Sequence, residues 1–161
     1  HLSSLVALAG DRPEFANQPE DAYPGVSSAV KVCVPVYGIY DLMAQWDFDQ
    51  ILAPKGNLAE IFLGFSALED RFGYHRGSPI NYVTKAMNHI AFFMAWGRLD
   101  DIVDPKTQSE QMLAALKRAD FYVRTATVDA GHFWVSEPLD EPGSFPGFVA
   151  PRSLRFLQEK L

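Results

Sequence analysis

Apolar positions in this chain gather into three short runs separated by helical or irregular stretches. Val30 to Val36 and Ile90 to Trp96 are β-branched or aromatic, of strand length and without polar alternation, as in strands buried on both faces. Phe121 to Val128 reads as a third strand. Residues 2–9 form a mostly apolar helical segment stopped by Gly10, and an apolar-all-round helix is a buried one. Asp104-Pro105 predicts a helix start, with Asp104 as cap and Pro105 at the first helical position. Met112, Ala115, Leu116 and Ala119 then make one apolar stripe, and Lys117 and Arg118 suit the C-terminal end of the dipole. Arg152 to Leu161 predicts a final helix with Leu154, Leu157 and Leu161 on one side.

The remainder is punctuated by turn residues. Pro13, Pro19, Pro24 and Gly25 mark 11–28 as loop, and 133–150 reads as loop for the same reason. A helix is expected to begin within 40–45. Residues 46–78 show no clean period and read as an aromatic-rich excursion over the sheet, with short helices in it. Ser78-Pro79-Ile80 predicts one more short helix, with Ser as cap. Strands alternating with helices argue for the α/β class, a parallel sheet covered by helices, here in one domain over residues 1–161.

Composition narrows the function. The chain has 161 residues, 48% apolar and 21% charged, ordinary proportions for a globular domain. Its net charge of -6 mixes acids with bases, so no basic face for nucleic acid is present. No apolar run approaches the roughly 20 residues of a membrane-spanning helix. Cys33 is the one cysteine and sits inside a strand run, which predicts a buried thiol rather than a reactive one. No His, Cys, Asp or Glu cluster has metal-ligand spacing, so no metal site is expected.

The chemistry centres on Asp100, just past the second strand run, and His132, just past the third. In a parallel sheet, reacting groups gather beyond the carboxyl ends of the strands. Neighbouring strands lie about 4.8 Å apart, so the loops after them bring the two side chains together. An Asp that accepts a hydrogen bond from one imidazole nitrogen fixes the tautomer and stabilises the imidazolium formed in proton transfer. The order acid then His is that of the second and third members of an α/β-hydrolase triad. Asp101 stands beside Asp100 as a rival acid, while Asp104 is assigned to its helix cap. His75 and His89 read as structural or solvated. Ser136 and Ser144 follow the base and are out of order for its nucleophile. Ser66 lacks both the second glycine and the preceding strand of a nucleophile elbow.

With these residues in place, the chain resembles α/β-hydrolase fold esterases and lipases, in the branch near the hormone-sensitive-lipase-like and feruloyl-esterase-like enzymes. His1 to Leu8 looks like the helix after the elbow, where the family reads Gly-x-Ser-x-Gly-Gly-His-Leu. Val34-Pro35-Val36-Tyr37-Gly38-Ile39-Tyr40-Asp41-Leu42 is similar to its strand and following turn. Leu63-Gly64, Ser78-Pro79-Ile80, Gly97-x-x-Asp100-x-x-Val103 and Gly131-His132 match later landmarks. Trp96 departs from the His usual before Gly97, and the segment from Phe133 to Pro151 is longer than the usual tail.

The resemblance implies a serine carboxylic ester hydrolase with Asp100 as acid, His132 as base and no cofactor. It places the nucleophilic serine about four residues before His1. The expectation is therefore a carboxyl-terminal half, inactive when isolated, that requires the front half of the same hydrolase as a covalent or noncovalent partner. Its substrate would be a small-molecule ester, with Phe133 and Trp134 helping to shape the pocket. Two other readings stand beside this one: an amide- or peptide-cleaving relative with the same triad, and a non-catalytic binding module if the chain is naturally complete.

Overall fold

The three apolar runs become three parallel strands, β1 (Val32–Cys33), β2 (Ala91–Gly97) and β3 (Val123–Val128), in the order β1-β2-β3. The computed structural model describes residues 1–16, 22–23 and 25–161. Of the loop predicted over 11–28, residues 17–21 and 24, with Pro19 and Pro24, lie outside the described residues. The helices are α1 (Leu2–Ala9), α2 (Leu42–Leu52), α3 (Leu58–Leu63), α4 (Arg71–Gly77), α5 (Ser109–Arg118) and α6 (Phe145–Lys160), with short 3₁₀ turns at Pro79–Tyr82, Lys85–Met87 and His132–Ser136.

Strand β2 is central and buried along its whole length. Its side chains alternate between two cores, as the pleat requires. Phe92, Met94 and Trp96 join Leu8 of α1 and Met112 and Leu116 of α5 on one face. Ala91, Phe93 and Ala95 join Ala126, Val128, Trp134, Val149 and Phe156 on the other. The sheet therefore has helices on both sides, the α/β arrangement expected. Cys33 is buried, its thiol against the Ser3 carbonyl and the Ser4 hydroxyl, and burial pushes its pKa up.

Three boundaries differ from the sequence reading, those of the first strand, of α5 and of the last helix. The first strand, expected over 30–36, shrinks to Val32–Cys33 plus a single bridge between Val36 and Ala95. Pro35 accepts a bond from Ala95 N–H at 3.1 Å but has no N–H of its own to continue the ladder. The helix expected from Pro105 begins at Ser109. Asp104 caps only a turn, through Lys106 and Thr107 N–H. Gln108 leaves helical geometry there because its side chain is drawn into the interior. Its Oε1 accepts from Tyr40 and Asp41 N–H at 2.7 and 2.9 Å, and its Nε2 donates to Asp41 O at 2.8 Å.

The excursion is more regular than its sequence suggested. Helix α2 begins before residue 46 and runs through it, with Asp41 as cap accepting from Met43 and Ala44 N–H. Asn57 and Asp70 cap α3 and α4 in the same way. Leu42, Ala59, Ala67 and Tyr74 bury a small cluster of their own beneath these helices.

The last helix starts at Phe145, not at Arg152. Ser144 accepts from Gly147 N–H as its cap, Pro146 lies in the first turn, and Pro151 sits inside at the loss of one intrahelical bond. The face that packs also differs from the expected one. Val149 and Phe156 are buried, while Leu154 and Leu161 are exposed. Phe156 is in ring contact with Phe93 at 5.5 Å and Tyr122 at 6.2 Å. Phe156→Ala is expected to lower stability by about 3–5 kcal/mol, and Leu154→Ala to change it by no more than about 0.5 kcal/mol. Urea melts of the two variants check this, and equal losses would contradict the packing.

Candidate active site

Strands β2 and β3 pair in register from Phe92 opposite Val123 to Gly97 opposite Val128, so the two chains leave the sheet side by side. Beyond the last pair, Arg98 N–H donates to Val128 O at 2.8 Å and Leu99 N–H to Ala130 O at 3.1 Å. A methyl group on Gly97 would run into the Ala130 carbonyl oxygen, so this approach requires glycine. Across the same gap the Arg98 guanidinium grips Asp129 with two bonds, Nε to Oδ1 at 2.7 Å and Nη2 to Oδ2 at 2.6 Å. Both partners of that pair are more than half exposed, so it orients the turns while adding little to stability.

Within this frame Asp100 and His132 meet. Nδ1 of His132 lies 2.7 Å from Oδ2 of Asp100. The carboxylate is nearly sealed from solvent, its side chain 1% exposed, and the imidazole is 16% exposed. The second carboxylate oxygen, Oδ1, accepts from Ile102 N–H at 3.0 Å and Val103 N–H at 2.9 Å. Burial alone would raise the Asp100 pKa, but the bonds from His132 and from the Val103 and Ile102 amides outweigh it, and the pKa lies below its ordinary value. The group is therefore an anion held ready to accept the imidazole proton donor. With Nδ1 occupied, Nε2 is the ring nitrogen left to exchange a proton with another group.

The other candidates fall elsewhere. Asp101 is exposed and makes no bond to His132. Its neighbour won because the Asp100 turn folds two amides back onto its own carboxylate. His75 stacks on Phe72, and His89 bonds the Ala86 carbonyl at 3.2 Å; both are exposed. Ser136 donates to Phe133 O, Ser144 caps α6, and Ser66 accepts from Leu68 N–H, so each serine is engaged locally. Phe133 is 70% exposed, with its ring edge-on to His132 at 5.2 Å. Trp134 is 4% exposed and belongs to the core under the sheet. An open groove of about 480 Å³ runs past His132, Phe133, Asp101, Glu137 and Phe145.

Sequence reasoning missed Tyr37, whose ring lies 4.5 Å from the imidazole. In the sequence it stood only within the strand-and-turn stretch Val34 to Leu42, with no role of its own. Among the described residues, no group of 3 or more His, Cys, Asp or Glu side chains is placed to hold a metal ion, and no helix is long and apolar enough to cross a membrane.

This arrangement, parallel strands flanked by helices with an acid and a histidine past their carboxyl ends, is that of an α/β hydrolase. A sequence profile of the BD-FAE family matches residues 1–116, and the chain belongs to that family. Esterase LipQ of Mycobacterium tuberculosis (strain ATCC 25618 / H37Rv) is 33% identical over 120 residues, covering 74% of this chain and 26% of the relative. Thermogutta terrifontis esterase 2, solved phosphoramylated by tabun, superposes with a TM-score of 0.66 at 17% identity, covering 99% of this chain and 50% of that one. Porphyromonas gingivalis dipeptidyl peptidase 4 superposes with a TM-score of 0.62 at 20% identity, over 85% of this chain and 17% of its own. At those identities the two solved structures show the shared fold. The chain spans about a quarter of the curated relative and half of the solved esterase.

A pKa held below its unfolded value stabilises the fold above the ordinary carboxylate range, and that contribution is lost as pH falls through the lower, folded value. Stability should therefore fall on acidification below about pH 4, and Asp100→Asn, which cannot titrate, should show a flatter fall. Urea midpoints of both proteins from pH 7 to pH 3 read this, and parallel curves would contradict it.

Proposed function

We propose that this chain supplies the acid and base of a serine carboxylic ester hydrolase. The observation that carries the reading is the bond between a buried carboxylate, already held by two amides, and a half-screened imidazole at the tips of adjacent parallel strands. That is the pair needed to make a hydroxyl nucleophilic. His132 takes the proton through Nε2 while Asp100 keeps Nδ1–H oriented and stabilises the imidazolium. His132 then returns the proton to the departing alcohol. The nucleophile in this reading is the serine that the resemblance at His1-Leu2 puts about four residues earlier, on a segment outside these 161 residues.

The front half of the same hydrolase would bring that serine, its strand and the backbone amides that stabilise an oxyanion. Phe133, exposed beside the base, is the aromatic that would meet the ester. Trp134 would support the pocket from beneath. The 33% identity to a protein named as an esterase favours ester over amide substrates.

In the intact protein, Asp100→Asn should lower kcat by about 10⁴-fold and His132→Ala by about 10⁶-fold, as loss of these roles does in triads. Asp101→Asn should stay within about threefold of wild type, as suits an exposed side chain. Hydrolysis of p-nitrophenyl acetate and labelling by a fluorophosphonate probe measure both. A fall on changing Asp101 with none on changing Asp100, or a protein that never labels, would overturn the reading.

A further inference from the structure

We infer that Tyr37 is a positioning residue for His132, holding the imidazole plane from a third strand; this rests on the assignment of His132 as base. Tyr37 follows the Val36 bridge to Ala95, and its N–H makes the last ladder bond, to Ala95 O at 2.7 Å. There the backbone turns left-handed, with φ of 39°. That conformation is rare for a residue with a bulky side chain and marks a place where the surroundings impose it. A glycine stands next door, yet the positive φ falls on the tyrosine. Gly38 is committed to a different task. A methyl group there would press on the Tyr40 ring and on the His1 backbone nitrogen.

The consequence of the turn is that the Tyr37 ring is carried out of the strand direction and onto the imidazole. The ring centroids are 4.5 Å apart and the planes are inclined by 54°. Behind it, Trp134 meets the Tyr37 ring edge-on at 5.9 Å, and Trp134 is itself locked in the core. Apart from the exposed Phe133 ring, which meets the imidazole edge-on at 5.2 Å, the imidazole is gripped from within the fold in two ways that are chemically independent. Asp100 fixes Nδ1 by a hydrogen bond, which leaves the ring free to pivot about that bond. Tyr37 closes the pivot by contact with the ring, so Nε2 keeps one direction. The Tyr37 hydroxyl makes no hydrogen bond among the described residues, which assigns the effect to the aromatic ring.

The test uses the intact protein with p-nitrophenyl acetate. Tyr37→Leu should lower kcat by about 10- to 100-fold, as a misdirected proton acceptor does, with KM held within about threefold. Tyr37→Phe, which keeps the ring, should restore most of the lost kcat. Tyr37→Gly removes the ring while accepting the left-handed backbone without strain. It should be as deficient in kcat as Tyr37→Leu, so a second ringless variant, free of the backbone strain, keeps the inference testable if the leucine one does not fold. Wild-type kcat in either ringless variant would overturn the inference, as would a deficit confined to KM. A phenylalanine variant as slow as the leucine one would move the role to the hydroxyl and overturn it too. His132→Ala serves as the separating arm. If it retains hydrolysis, the base assignment fails; if it abolishes hydrolysis while the Tyr37 variants do not respond, the Tyr37 role alone fails.

Discussion

The close approach of two turns, one leaving β2 and one leaving β3, is the constraint on which the site rests. Parallel strands hydrogen-bonded to one another emerge at a fixed lateral spacing. Here that spacing is carried two residues beyond the sheet by the Arg98 and Leu99 amides, which continue to bond across the gap. The absence of a side chain at Gly97 lets the Ala130 carbonyl come in against the backbone. With the turns so placed, a carboxylate three residues after one strand residue and an imidazole four residues after its partner are within one hydrogen bond of each other. Nothing in either turn alone would achieve this.

Two carboxylates in this small region are held in different ways, and their contributions differ. The Arg98–Asp129 fork has good geometry but sits in water, where screening and side-chain entropy consume most of its attraction. Asp100 is removed from solvent and would be unfavourable as an anion if it were left unpaired. It is not, because three donors converge on its two oxygens. The donors outweigh the burial, which is why the carboxyl group stays ionised. The exposed pair helps to orient the turns, and the buried carboxylate orients the imidazole.

Buried amide side chains tie the remaining segments to this frame. Gln108 satisfies three backbone groups at Tyr40 and Asp41. It thereby anchors the turn after Tyr37 to the start of α5. Gln45, on α2, donates to the Ile102 carbonyl at 2.9 Å and to Asp49 at 2.8 Å. Ile102 is also one of the two residues whose amides hold Asp100. The helices of the excursion are in this way coupled to the acid turn by a hydrogen bond rather than by apolar contact. Such buried polar links are unfavourable when half made and specific when complete; the Gln45 carbonyl oxygen, Oε1, is buried with no hydrogen-bond partner among the described residues.

Local rules carried a good part of this in the sequence alone. An unbroken apolar run at 90–96 announced the buried central strand, the stretch from Phe121 to Val128 announced a third strand, Gly10 announced a helix end, and the order Asp100 then His132 announced a pair past two strand tips. These are readable because periodicity, capping and strand length depend on neighbours in the chain. The caps at Asn57 and Ser144 obey the same rules and were legible in principle, though the segments around them hid the helices they begin; the helix capped by Asp41 lies where one was expected, within 40–45.

Other features depended on residues distant in the chain. Phe156 rather than Leu154 faces the core because Phe93 and Tyr122 lie on that side. Helix α5 starts late because Gln108 is drawn toward residues 68 and 67 positions earlier. The preference for Asp100 over Asp101 rests on which carboxylate the folded turn turns inward, and the contact of Tyr37 with His132 joins residues that only the sheet brings together. Sequence determined the class of fold and the order of an acid and a histidine past two strands, because those follow from local pattern and order. The direction in which each side chain points was decided by tertiary packing, since it depends on what occupies the space across the sheet.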